Sequence, residues 1–100
     1  MAEYKVIGTR WNEIHSKVIL HPGEILNDEL EARNLKKMDV AKSLGITPGN
    51  LSELVRGKRH VSAMTAIKLE KILGISAEYW LRVQMYYDLA VERKKMRLAA

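Results

Sequence analysis

The sequence has no cysteine and only two prolines among its 100 residues. Without cysteine the chain has no disulfide framework, no thiolate zinc site and no thiol nucleophile. No apolar run approaches the length that spans a bilayer, and charged side chains interrupt residues 1–20, so we expect neither a membrane span nor a signal peptide. The composition, 47% hydrophobic and 29% charged, predicts one small soluble domain of the cytoplasm.

Groupings that carry catalysis or bind metals are also lacking. The three histidines, His15, His21 and His60, have no spacing that suits a metal site, and none pairs with a plausible nucleophile. There is no glycine-rich phosphate loop, no carboxylate pair and no serine–histidine–aspartate triad. We therefore expect a protein that is not an enzyme and that has no metal and no cofactor.

The net charge of +5 is unevenly distributed along the chain. Residues 36–60 carry six basic side chains against two acidic ones, and residues 81–100 carry five against two. Residues 22–35 carry four acidic side chains against one basic one. Separate positive regions favour an anionic partner such as nucleic acid, although each cation alone also suits a solvated surface.

Proline and glycine divide the chain after residue 20 into five helical segments. Pro22 and Pro48 suit the first turn of a helix, and Gly45, Gly57 and Gly74 suit helix ends. The predicted helices are 22 to about 34, a short helix that residues 36–39 lead into and Gly45 stops, 48–56, 63–73, and 76 to about 95. This is an all-α fold, in which the domain occupies residues 21–96, between a partly extended N-terminal arm at 1–20 and a short tail at 97–100.

Apolar spacing predicts the buried faces of these helices. In the fourth helix the apolar positions are Met64, Ile67, Leu69, Ile72 and Leu73, which we expect to form a mostly buried face. We interpret the five methionines of the chain as filler of the core.

The second and third predicted helices match the steric demands of a helix-turn-helix. Such a motif needs apolar residues on both helices, a small residue where they cross, and a glycine in a left-handed conformation at the turn. Seven positions carry the expected residue types: Val40, Ala41, Leu44, Gly45, Ile46, Leu51 and Leu54. The alternative is a pair of ordinary helices in any small bundle.

In a helix-turn-helix, the N-terminal residues of the second helix face base edges in the major groove. The candidate base contacts are Thr47, Pro48, Gly49, Asn50 and Glu53. Asn50 suits the adenine edge and Glu53 accepts from cytosine N4, whereas the other positions offer little readout. We therefore expect phosphate contacts and DNA shape to carry much of the affinity. The candidate phosphate contacts are Lys37, Lys42, Thr47, Ser52, Arg56, Lys58 and Arg59.

The sequence over about residues 20–90 resembles the HigA-type antitoxins of bacterial toxin–antitoxin modules, within the phage-repressor-like (Xre) helix-turn-helix class. The resemblance rests on HPGE at 21–24, GKR at 57–59, and the helix from YWL at 79–81 to YDL at 87–89. It implies a five-helix lambda-repressor-like domain, a homodimer and repression of the module's own promoter. It also implies neutralisation of a HigB-type toxin that cleaves messenger RNA, and a bacterial protein associated with the nucleoid when bound to its operator.

The last helix carries two apolar stripes, although a helix packed on one side needs only one. We expect the stripe of Leu81, Met85 and Leu89 to meet a second copy, which would set two recognition helices about 34–36 Å apart on DNA. The alternative is a helix seated in a deep groove of its own domain.

The arm contains apolar residues that the helical domain does not explain. Tyr4, Val6, Ile7 and Trp11 are candidate toxin contacts, for example by adding a strand to a sheet edge of the toxin. The alternative is that the arm docks onto its own domain.

Two further functions remain open on the sequence alone. One is a phage- or plasmid-type transcriptional regulator without a toxin partner. The other is a protein-interaction module that uses the same helices and does not bind DNA.

Overall fold

The computed structural model describes residues 20–99 of the chain. This part forms five helices and no strand, which confirms the all-α prediction. The helices are α1 (Pro22–Ala32), α2 (Lys37–Leu44), α3 (Pro48–Val55), α4 (Ala63–Leu73) and α5 (Ala77–Ala99). Within this range no helix combines the length and the apolar character that crossing a membrane requires.

The last helix is longer than the sequence predicts. α5 has 23 residues and continues beyond residue 96 into the segment predicted as a tail. The reason is that no glycine or proline interrupts residues 75–99, and Lys, Arg, Leu and Ala are all good helix formers.

Side-chain caps define where four of the helices begin. Thr47, Ser62 and Ser76 each accept a hydrogen bond from the backbone N–H three residues later, at 3.0, 3.2 and 3.1 Å. His21 caps α1 in a different way, because its Nδ1 accepts from the N–H of Gly23 at 2.9 Å. Each cap satisfies a backbone donor that has no partner inside its helix.

Two helix ends are stabilised by cationic side chains, one from α4 and one from the residue that follows α1. Lys68 Nζ donates to the carbonyl oxygen of Leu44 at 2.9 Å, and Arg33 Nη1 donates to that of Leu73 at 2.8 Å. Both carbonyls belong to the last turn of a helix, where free acceptors and the helix dipole favour positive charge. These bonds tie α4 to α2 and α1 to α4.

The core lies where the five helices meet. Its largest completely buried side chains are Trp80, Leu26, Leu30, Leu44, Leu51 and Leu69. α3 packs against α1 and α2, and α5 packs mainly on α4. The α2–α3 pair therefore packs on α1 and α4, and α5 packs behind them on α4.

The buried face of α4 differs from the predicted one. Leu69 and Leu73 are buried as predicted and Ile72 is half-buried, but Met64 and Ile67 are 68% and 49% exposed, and the helix buries Ala66, which the prediction did not include. At 100° per residue, positions 66 and 73 flank Leu69 on one side, whereas 64 and 67 point away from it. The prediction that methionines fill the core is also wrong for the four described ones, Met38, Met64, Met85 and Met96, which are all exposed.

Candidate nucleic-acid interface

The α2–α3 pair has the internal structure of a helix-turn-helix. Gly45 follows α2 with a left-handed backbone (φ 71°), and Ile46 packs against the core. The five other positions that the motif needs are completely or nearly completely buried: Val40, Ala41, Leu44, Leu51 and Leu54. The sequence prediction of this motif is confirmed.

The first turn of α3 is accessible to a partner. Thr47, Pro48 and Gly49 are exposed, and Asn50 is half-buried. A methyl group added at Gly49 would find no atom nearer than Thr47 Oγ1 at 3.8 Å, so the backbone here is open to a close approach. Four of the five candidate base contacts therefore lie together at this helix end.

Glu53, the fifth candidate, is held in an ion pair. Its Oε1 accepts from Arg59 Nε at 2.8 Å, and both side chains remain about half exposed. The hydrogen bond from Arg59 and the charge of its guanidinium lower the pKa of Glu53 below its ordinary value. One carboxylate oxygen that the sequence assigns to cytosine is thus already bonded within the protein.

The candidate phosphate contacts are distributed along the motif and just beyond α3. Lys37 and Lys42 are exposed on α2, and Arg56 and Lys58 are exposed after α3. Ser52 is half-buried on α3, and its carbonyl oxygen accepts from Arg56 Nε at 3.3 Å.

A groove of about 580 Å³ lies beside α3, between that helix and the start of α4. We call it the α3–α4 groove. It is lined by Ile46, Asn50, Glu53, Leu54, Lys58, Arg59, His60, Ser62 and Thr65. The sequence analysis did not assign His60, Ser62 or Thr65 to the interface, although their closeness to the basic run at 56–59 is a usable signal.

The loop that carries Lys58 and Arg59 is held against α1 at its first residue. Gly57 has φ 78°, and a methyl group added there would lie 3.4 Å from Cγ of His21. The His21 ring in turn meets Tyr87 of α5 edge-on, with ring centroids 4.7 Å apart. The two parts of the sequence that begin with HPGE and GKR therefore meet in space.

Gln84 of α5 holds the other end of this loop. It is buried, and its Oε1 accepts from the N–H of Val61 at 2.7 Å. Its Nε2 lies 2.9 Å from both His60 Nδ1 and Asp88 Oδ1. The sequence analysis missed Gln84, because its partners in the loop, Val61 and His60, lie 23 and 24 residues away and no local pattern marks them.

Gly23 permits a close contact between α1 and α3. A methyl group at this position would overlap the carbonyl oxygen of Leu54 and lie 2.9 Å from the carbon of that group. The N-terminus of α1 therefore rests directly on the backbone of the helix that carries the candidate base contacts.

Burial also affects the titration of His21. The side chain is 4% exposed, and desolvation, with a smaller contribution from the charge of His60, lowers its pKa. The lowered pKa favours the neutral ring. The cap requires a neutral ring as well, because Nδ1 can accept from the N–H of Gly23 only while it carries no proton.

The three candidate dimer contacts do not share one environment. Leu81 is half-buried and packs against the core, whereas Met85 and Leu89 are 46% and 39% exposed. The candidate toxin contacts, Tyr4, Val6, Ile7 and Trp11, lie outside the described residues.

No group of three or more histidine and acidic side chains that suits a metal ion occurs within residues 20–99.

Comparison with known proteins places this geometry in a family. Residues 26–80 match the helix-turn-helix family HTH_3. The chain is 33% identical to a solved Pseudomonas aeruginosa antitoxin HigA with the higBA promoter (TM-score 0.72), over 77% of this chain and 85% of the other. The chain belongs to the HigA-type, Xre-like helix-turn-helix family.

Two further proteins are similar to this chain. An addiction-module antidote protein of the HigA family from Coxiella burnetii is 36% identical, covers 77% of this chain and 85% of its own, and gives a TM-score of 0.71. Virulence-associated protein I of Dichelobacter nodosus is 41% identical over 70% of this chain. The chain spans 66% of that relative's length.

Proposed function

We propose that this protein is an antitoxin that represses its own promoter by binding operator DNA and that neutralises a HigB-type toxin. The observation that carries the DNA-binding part is the exposed first turn of α3, with exposed cationic side chains on α2 and directly after α3. A family member solved with its promoter supports the same part.

In this proposal the first turn of α3 enters the major groove. Asn50 reads an adenine edge, and Thr47, Pro48 and Gly49 give close contacts without a hydrogen-bond code. Thr47 Oγ1 already accepts from the N–H of Asn50, so its hydroxyl proton stays available to a phosphate oxygen. The other proposed phosphate contacts are Lys37, Lys42, Ser52, Arg56, Lys58 and Arg59.

The salt dependence of binding tests the proposal. The probe is a duplex carrying the DNA upstream of the protein's own coding sequence, and an unrelated duplex of equal length is the control. Each neutralised phosphate contributes about −0.9 to the slope of log K against log salt. Lys42→Ala should reduce the steepness by about one unit on both duplexes. Asn50→Ala should weaken binding only to the specific duplex, by about 1–3 kcal/mol.

Equal affinity of the wild type for both duplexes would contradict operator recognition. A slope near zero would contradict the phosphate contacts, and it would favour the protein-interaction module instead.

We also propose a homodimer formed through the exposed residues Met85 and Leu89 of α5. Two such copies would present their α3 helices to successive turns of a palindromic operator, about 34–36 Å apart. Met85→Lys should shift the protein toward monomer in sedimentation velocity, because a charge in an apolar contact is not compensated. Met64→Lys, on the exposed side of α4, is the matched control and should leave the assembly unchanged. A monomeric wild type at tens of micromolar would contradict the dimer.

The toxin contact is proposed to involve the arm, with Tyr4, Val6, Ile7 and Trp11. The decisive material is a small basic protein encoded next to this chain that is toxic when expressed alone. Deletion of residues 1–20 should abolish its binding in titration calorimetry and leave operator binding intact. Unchanged toxin affinity would refute the role of the arm, and absence of any such neighbour would favour the regulator without a toxin.

A further inference from the structure

Glu53 and Arg59 form a hydrogen-bonded ion pair on the rim of the α3–α4 groove. The donor is Nε of the guanidinium and the acceptor is Oε1 of the carboxylate, 2.8 Å apart. Both terminal amino groups of Arg59 are therefore left for other acceptors, and the side chain is 52% exposed. A guanidinium fixed through Nε presents a two-pronged donor that fits a phosphate group.

The backbone on both sides of this pair is fixed. Glu53 belongs to the last turn of α3, and the next residue, Leu54, lies with its backbone against Gly23 of α1. Arg59 lies in a loop held by Gly57 against the His21 ring at one end and by the bond from Val61 to Gln84 at the other. With its backbone and its head group both tied, Arg59 loses little side-chain freedom when it binds a ligand.

The surroundings of the pair favour a phosphate over a base. Lys58 lines the same groove. Ser62, which also lines it, is the residue at which α4 begins, so the positive end of the α4 dipole lies at this groove. Asn50 and the exposed first turn of α3 lie one turn before Glu53 along the helix. The guanidinium thus lies among groups that attract an anion, beyond the turn assigned to base contacts.

We propose that Glu53 is a positioning residue, which holds the Arg59 guanidinium so that its terminal amino groups bind one DNA phosphate. This inference rests on the proposed operator binding. It changes the role of Glu53 from a direct contact with cytosine to an indirect contribution through Arg59.

A comparison of Glu53→Ala with Glu53→Gln tests this role. Glutamine keeps an oxygen that accepts from Arg59 Nε and loses the charge, whereas alanine loses both. Positioning predicts that Glu53→Ala weakens binding to the upstream duplex by about three- to tenfold, and that Glu53→Gln stays within about twofold of the wild type. If the carboxylate acted only by repelling phosphates, both variants would bind more tightly.

A double-mutant cycle distinguishes the positioning role from the remaining explanation, in which Glu53 contacts a base directly. In an Arg59→Ala background, Glu53→Ala should cause no further loss, because the group that Glu53 holds is already absent. Additive losses, or a change of preference at a single base pair in either Glu53 variant, would refute the positioning role. Glu78→Ala removes an equal charge from the exposed first turn of α5 and should bind as the wild type does.

Two readouts keep this inference distinct from the proposed function. The Arg59 Nε–H resonance, recorded without DNA, should be protected from exchange in the wild type and in Glu53→Gln, and unprotected in Glu53→Ala. Thermal midpoints close to that of the wild type confirm that the variants fold. Wild-type protein with no preference for the upstream duplex would refute operator binding, whereas a Glu53→Ala variant that binds as tightly as the wild type would refute only the positioning role.

Discussion

Replacing Gly23 with alanine should destabilise the domain, whereas the same replacement at Gly49 should stabilise it. Each glycine is the second residue of its helix and follows a proline, in the segments His21-Pro22-Gly23 and Thr47-Pro48-Gly49. Sequence alone does not distinguish them. The structure does, because a methyl group at Gly23 overlaps the backbone of Leu54, and one at Gly49 has nothing closer than 3.8 Å.

The magnitudes follow from two opposing effects. Alanine in place of glycine gains about 0.5–1 kcal/mol, because the unfolded chain loses freedom. Overpacking costs about 1–3 kcal/mol, and we take the upper end at Gly23 because the obstacle is backbone, which has no alternative rotamer. Gly23→Ala should therefore lose about 2 kcal/mol net, and its midpoint should fall by about 8–16 °C for a domain of this size. Gly49→Ala should gain about 0.5–1 kcal/mol.

Thermal and urea unfolding of the two variants beside the wild type measure this difference. The urea slope m reports whether the same surface is exposed in each case. Shifts of the same sign at both positions would refute the argument that α1 and α3 meet backbone to backbone at Gly23. The Gly49 variant also tests the interface, because its added methyl group should weaken binding to the upstream duplex while the protein becomes more stable.

Two further perturbations examine the contacts that hold the α3–α4 loop. The pKa of His21 is lowered in the folded protein, so the unfolded chain binds a proton at a pH where the folded chain does not. The free energy of unfolding should therefore fall as the pH drops below the ordinary histidine pKa of about 6.5. His21→Asn keeps a capping acceptor and should flatten this dependence in urea titrations at several pH values. A wild type that gains stability on acidification through this range would contradict the assignment. Gln84→Met keeps the size of the side chain but leaves the buried N–H of Val61 unpaired, and should cost about 1–3 kcal/mol in urea unfolding; an unchanged midpoint would show that the bond contributes little.

Local chemistry made the helices and the motif predictable. Pro48, Gly45 and Gly74 act within a few residues of their own positions, and the structure has helix boundaries at each. The start of α3 follows from the same residues that end and begin helices, because Gly45 ends α2 and the Thr47-Pro48 pair begins the next helix. A sequence pattern contains this information directly.

Contacts between distant residues were not predictable in this way. The pairing of Val61 with Gln84 and of Gly57 with His21 depends on how α1 and α5 pack, which no local pattern encodes. The prediction for α4 was correct at Leu69 and Leu73 and wrong at Met64 and Ile67 for a related reason. All four are apolar at helical spacing, but the packing of α4 against α2 and α5 leaves Met64 and Ile67 exposed.

The loop after α3 connects the candidate DNA surface to α5. On α5, Gln84 is buried and bonded to this loop, while the next residue, Met85, is exposed on the proposed dimer surface. A partner seated on Met85 therefore contacts the same helical turn that positions the loop of Arg59. The links are the hydrogen bonds of the buried Gln84 side chain and the edge-on contact of the His21 and Tyr87 rings, so we expect a shift of α5 to displace the loop that carries Arg59. Substitutions on α5 that shift Gln84 should then alter operator affinity without removing any atom that touches DNA.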